Sequence, residues 1–145
     1  MRALIAALDA YLESLYPPAS NHFLDIEALC KSNVRFFVAR RAGVPVGCGA
    51  LRIAAGYGEV KRMFVAPEAR GRSIGRAILR CIEDQAASEG LELMRLETGI
   101  HQEAALALYR SCGYVECAPF GQYQADPLSL FMEKRLPSRA GCSPR

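Results

Sequence analysis

The stretch Val60 to Leu79 constrains the fold more than any other part of the chain. Residues 59–65 alternate polar and apolar positions as a strand does, and Pro67 ends them because proline cannot donate to a sheet ladder. A loop of small and basic residues follows, and then Ile74, Ile78 and Ile82 recur at helical spacing as far as Ser88. The first N–H groups of a helix lack intrahelical partners, and the positive end of the helix dipole lies beside them. Small residues at such a start let an anion approach, and a pyrophosphate fits that description.

On either side of this segment the periodicity changes character. Residues 3–15 place Leu4, Leu8, Leu12 and Leu15 on one helical face, which Pro17-Pro18 closes, and a shorter helical pattern runs over 24–30. Residues 34–41 and 46–54 read as a β-hairpin around a turn at 42–45, and a second turn at 55–58 leads into 59–65. After the helix at 73–88, which Gly90 stops, come a strand at 91–96, a helix at 101–112 closed by Gly113, and strands at 114–117 and 128–136. This order predicts an α/β sandwich with a mixed, mainly antiparallel central sheet flanked by about four helices.

The chain has 145 residues and is about half apolar, which suits one domain. We read residues 1–137 as that domain and 138–145 as a frayed tail. No apolar run reaches the roughly 20 residues needed to span a bilayer, and no basic region precedes an apolar block at the amino terminus. The expectation is a cytoplasmic protein that does not engage membranes. Six cysteines without a C-x-x-C pair, and two distant histidines, His22 and His101, provide no metal spacing. With a net charge of +3 and arginines concentrated at one helix start, nucleic acid is not an expected partner.

Arg70, Ser73 and Gly75 fall on the fixed positions of a known pattern: Gln or Arg, two residues, Gly, one residue, Gly or Ala. On these residues the stretch resembles the acetyl-CoA-binding motif of the GNAT family of N-acetyltransferases, with Ser73 standing where glycine is usual. Gln102, Ala105, Leu108-Tyr109 and Gly113-Tyr114 resemble the family's later pattern of Asn, Ala, Leu-Tyr and Gly-Phe/Tyr, Gln102 replacing the shorter amide. Residues 17–22 and 120–127 are similar to a bacterial subgroup of that family. The resemblance implies acetyl-CoA as cosubstrate and no metal. It implies that the backbone from Arg72 through Ser73, Ile74 and Gly75 to Arg76 holds the pyrophosphate, with Arg70 and Gly71 in the same loop. Met63, Phe64 and Val65 would pair with the pantetheine arm.

An amine of ordinary basicity arrives protonated and cannot attack a thioester until a proton leaves. Glu59 is the candidate base, on a strand whose simple alternation would put Glu59, Lys61, Met63 and Val65 on one face; the alternative is a solvated ion pair. Tyr109 shares a helix face with Ala105, Leu108 and Cys112, so it is either a core residue or, as the resemblance implies, the acid that protonates the departing thiolate. Cys112 and Cys117 have no adjacent base and read as packing residues. Tyr16, Asn21, His22, Phe120 and Tyr123 lie in loops able to line an acceptor pocket. The implied reaction is direct acetyl transfer to a primary amine of a small molecule or peptide. The alternative is a catalytically silent acyl-CoA-binding regulatory module, and a homodimer is compatible with either.

Overall fold

The computed structural model describes residues 31–71 and 73–137, together with Ala6 and Ala10. Apart from those two alanines, the helices expected at 3–15 and 24–30 lie outside the described residues, as do Tyr16, Asn21, His22, Arg72 and the tail.

The alternating segments form three consecutive antiparallel strands, β1 (Val34–Arg41), β2 (Val44–Ala54) and β3 (Tyr57–Val65). A 3-10 turn at Pro67–Ala69 leads to α1 (Ile74–Ser88), then β4 (Leu93–Gly99), α2 (Glu103–Ser111), β5 (Val115–Cys117) and β6 (Ser129–Arg135). The six strands make one sheet in the order β1-β2-β3-β4-β6-β5, parallel only between β3 and β4. The mixed, mainly antiparallel sheet is therefore as expected, and two α-helices lie among the described residues. None of the described helices is long and apolar enough to cross a membrane.

The stripe read from the sequence of α1 is the face that packs: Ile78, Leu79, Ile82 and Ala86 are buried against Leu51, Val60, Met94, Leu96 and Met132. Each of the leucine, isoleucine, valine and methionine side chains contributes roughly 1.5–3 kcal/mol of burial. The helix approaches β2 so closely that a Cβ on Gly49 would stand 2.8 Å from Ile78 Cγ2 and 2.7 Å from Met63 Sδ. A side chain there would force Met63, Ile78 or Ile82 to shift.

Two irregularities in the sheet position the site. Between β2 and β3 the register passes from Cys48↔Phe64 to Ala50↔Lys61, so Gly49 faces both Arg62 and Met63, and Arg62 takes φ 57°. This is a β-bulge, and the extra residue reverses the pleat. Val60, Met63 and Val65 consequently share the α1 face, whereas Glu59 and Lys61 face the other side with Tyr123. The single face predicted for Glu59, Lys61, Met63 and Val65 is thus corrected, since strict alternation holds only up to the bulge. The second irregularity is that β3 and β4 pair only from Gly58↔Met94 to Val60↔Leu96. Beyond that point β3 stays with β2 and β4 stays with β6, and a gap opens between them.

Candidate active site

On the helical side, the gap widens into a cleft of about 350 Å³. Its floor is Met63, Phe64 and Val65, its rim is Arg70, Gly71, Ser73, Gly75 and Arg76, and its far wall is Gln102, Ala104, Ala105, Leu108 and Tyr109. Residues from the two separate sequence motifs thus meet across one space. Their contact is direct: a Cβ on Gly75 would lie 3.1 Å from Leu108 Cδ2 and 3.6 Å from Val65 Cγ2. Glycine at this position lets α2 close down on the start of α1.

Ser73, at the N-cap of α1, makes no side-chain capping hydrogen bond, and no acidic residue stands in the first turn of α1. The first intrahelical bond recorded at this end runs from Ala77 N–H to the Ser73 carbonyl at 3.1 Å. The N–H groups of Ile74, Gly75 and Arg76 therefore precede the helical ladder, which is the arrangement an anion needs. Ser73 sits at φ 61°, ψ 20°, a left-handed conformation that glycine adopts without strain. The side chain of Ile74 packs against the core rather than lining the cleft, so only its backbone is available there.

The two cleft arginines whose side chains are described also brace the structure. Arg70 Nε donates to the Val65 carbonyl at 3.0 Å, and its guanidinium lies 5.7 Å from the centre of the Phe64 ring. Arg76 Nη2 donates to Ser111 Oγ at 2.9 Å, tying the start of α1 to the end of α2.

Tyr109 lines the cleft yet is only 5% exposed, its ring edge-on to Tyr114 at 5.8 Å. Burial pushes its phenol above the ordinary value of 10.0, and the Glu97 carboxylate and Cys112 add to the effect. A phenol held protonated is a proton donor, so the core position and the chemical role are compatible in one residue. Cys112 borders this helix end, while Cys117 packs against the aromatic cluster of Tyr57, Phe120 and Phe131.

Across the sheet a second cavity, of about 550 Å³, holds Glu59. The carboxylate is 1% exposed and engaged at both oxygens. Arg52 donates from Nε at 3.1 Å and approaches with Nη2 at 3.0 Å, both at Oε1. Tyr123 donates its hydroxyl to Oε2 at 2.5 Å, and Lys61 Nζ lies 3.6 Å from the same oxygen. Lys61 also donates to the Tyr123 hydroxyl at 2.7 Å. Its ammonium pKa is lowered by burial, an effect that Glu59 and Glu97 oppose. Glu59 is neither in the cleft nor a solvated strand-edge residue. It is the centre of a buried polar network.

Of the loop residues expected near an acceptor, Tyr123 lines this cavity, while Phe120 is buried behind it with ring centres 5.1 Å apart. Sequence reasoning missed Arg52, Lys61 and Glu97 as site residues. Arg52↔Glu59 are direct cross-strand partners, a signal that was present once the hairpin register was known. Glu97 lies on the part of β4 beyond its pairing with β3, and its charge acts on Tyr109 as well as on Lys61 and Tyr123. The two cavities thus lie on opposite faces of β3, Met63 lining the first and Lys61 the second.

A six-stranded mixed sheet opened between β3 and β4, with a glycine-bearing helix start at the opening, is the arrangement of an acyltransferase of the GNAT class. The profile of the Acetyltransferase (GNAT) family matches residues 3–114, and the chain belongs to that family. It is 57% identical over 135 residues to the IAA acetyltransferase of Azospirillum brasilense, covering 92% of this chain and 88% of that one. It is 33% identical over 141 residues to an uncharacterized N-acetyltransferase of Bacillus subtilis, YsnE, covering 93% of each. A crystal structure from Klebsiella pneumoniae, of a protein assigned to the acyl-CoA N-acyltransferases, superposes with TM-score 0.81 at 43% identity, covering 92% of this chain and 88% of that one. The protein is therefore an acetyltransferase.

Proposed function

We propose that the protein transfers an acetyl group from acetyl-CoA directly to a primary amine of a small molecule or peptide within a ternary complex. The observation that carries this reading is the cleft itself, which joins an uncapped helix start to a protonated tyrosine along an unpaired strand edge. The N–H groups of Ile74, Gly75 and Arg76 receive the pyrophosphate, with Arg70 and Gly71 at the rim. The edge of Met63 to Val65 receives the pantetheine arm, and an N–H there stabilises the oxyanion.

The neutral amine attacks the thioester carbonyl through the gap, a C–N bond forms, and the C–S bond breaks. Tyr109 gives its proton to the leaving sulfur. Both oxygens of Glu59 are engaged, so the amine's proton reaches that carboxylate through Tyr123, whose own hydroxyl proton passes to Oε2. Lys61 holds the Tyr123 oxygen in place for this exchange.

The test is coenzyme A release from acetyl-CoA across a panel of amines, with acetyl-CoA binding followed by calorimetry. Amine-dependent release is expected, and Gly75→Glu, whose side chain has no room beside Leu108, should abolish acetyl-CoA binding. Binding without turnover by any amine would instead favour a regulatory acyl-CoA-binding module.

A further inference from the structure

We propose that the second cavity selects acceptors in which the amine is accompanied by a carboxylate in the same small molecule, the chemistry of amino acids. The proposal rests on the transfer reaction above and adds a substrate class to it.

Among the described residues, the charges that line the cavity are three cations, Lys31, Arg52 and Lys61, and one carboxylate, Glu59. Glu59 is enclosed by Arg52, Lys61 and Tyr123 and has no exposed oxygen to offer a ligand. Among the described residues an incoming ammonium group therefore finds no accessible counter-charge, whereas an incoming carboxylate finds a surplus of positive charge. The same surplus favours the uncharged form of the acceptor amine, which is the form that attacks.

Arg52 is suited to hold the carboxylate. Nε and Nη2 are directed at Glu59 Oε1, while Nη1 makes no hydrogen bond among the described residues, and the side chain is 31% exposed. A guanidinium so fixed presents its remaining donors in a rigid fork, the geometry that matches a carboxylate. Lys31, at the same cavity, has no ion pair among the described residues. Arg52 faces Glu59 in register, two positions along β3 from Lys61, and the gap toward Tyr109 begins after Val60. The carboxylate thus binds about 7 Å from the level at which the amine reacts, with the Tyr57 and Tyr123 rings beside the body of the ligand.

The experiment compares free amino acids with their carboxamides, which keep the amine and remove the charge. Binding is measured calorimetrically on the protein saturated with coenzyme A, and kcat/KM is taken from coenzyme A release. The free acid should bind about tenfold more tightly than its amide, the size of one charge-assisted contact. That ratio should fall toward one in Arg52→Gln and be reduced in Lys31→Gln, which removes a charge without removing a partner of Glu59. A wild-type ratio of one, or a ratio that survives both substitutions, overturns the proposal. Failure of every amine to turn over would count against the transfer reaction, while the binding ratio would still report on the cavity.

Discussion

The two cavities lie on opposite faces of one strand and are built from different materials. The cleft proposed for acetyl-CoA is made of backbone: an uncapped helix start, an unpaired strand edge and a glycine that lets two helices meet. Its arginines turn part of their donor capacity back onto the protein, at Val65 and Ser111. The second cavity is made of side chains that come from far apart in the sequence, Tyr123 reaching back over 62 and 64 positions to Lys61 and Glu59. The bulge at Arg62 and Met63 lets β3 serve both, turning Lys61 to one side and Met63 to the other. A ligand common to a whole family can be held by backbone, which any small sequence supplies, whereas a particular acceptor requires particular side chains.

If that contrast is right, charge removal should harm the second cavity most. Glu59→Ala removes the buried carboxylate that Arg52, Lys61 and Tyr123 share, and we expect a loss of about 3–5 kcal/mol in urea unfolding. A loss below about 1 kcal/mol would mean that the network behaves like an exposed ion pair and would break the comparison. On the cleft side the largest chemical effect belongs to Tyr109→Phe, with kcat down about a hundredfold and the KM for acetyl-CoA little changed. Because burial raises the phenol, Tyr109 keeps its proton as pH rises through 10.0, where an ordinary tyrosine would be half ionised. The alkaline side of the wild-type rate profile should therefore show no tyrosine ionisation up to that pH. A limb well below it that vanishes in the phenylalanine variant would show that the hydroxyl is not held as the structure indicates.

The same contrast explains what the sequence could disclose. The strand, loop and helix from Val60 onward are contiguous, and their periods and small residues are local signals, so the cleft was legible from Met63 to Arg76 with Gln102 and Tyr109 opposite. The pleat reversal was not, because a bulge depends on which residue of β2 is opposite, and Gly49 must face two partners for it to occur. Without the reversal Glu59 is placed on the same face as Met63 and Val65, which the structure corrects. Arg52, Lys61 and Glu97 carry no local motif at all. They become site residues only through the hairpin register, the loop that brings Tyr123 across the sheet, and the divergence of β4 from β3.

Ser73 sharpens the comparison at its smallest scale. It departs from the glycine usual at its position, and its backbone nevertheless takes the left-handed conformation that glycine would supply. The side chain makes no capping hydrogen bond, so the strain is not offset locally. Replacing it by glycine removes a side-chain clash costing roughly 1–2 kcal/mol and returns part of that through the more flexible unfolded chain. Ser73→Gly should stabilise the protein by about 0.5–1 kcal/mol in urea unfolding while leaving the KM for acetyl-CoA unchanged, because a cleft made of backbone keeps its N–H groups in either variant. A higher KM in the glycine variant would show that the serine hydroxyl holds the phosphate, and the cleft would then depend on a side chain as the second cavity does.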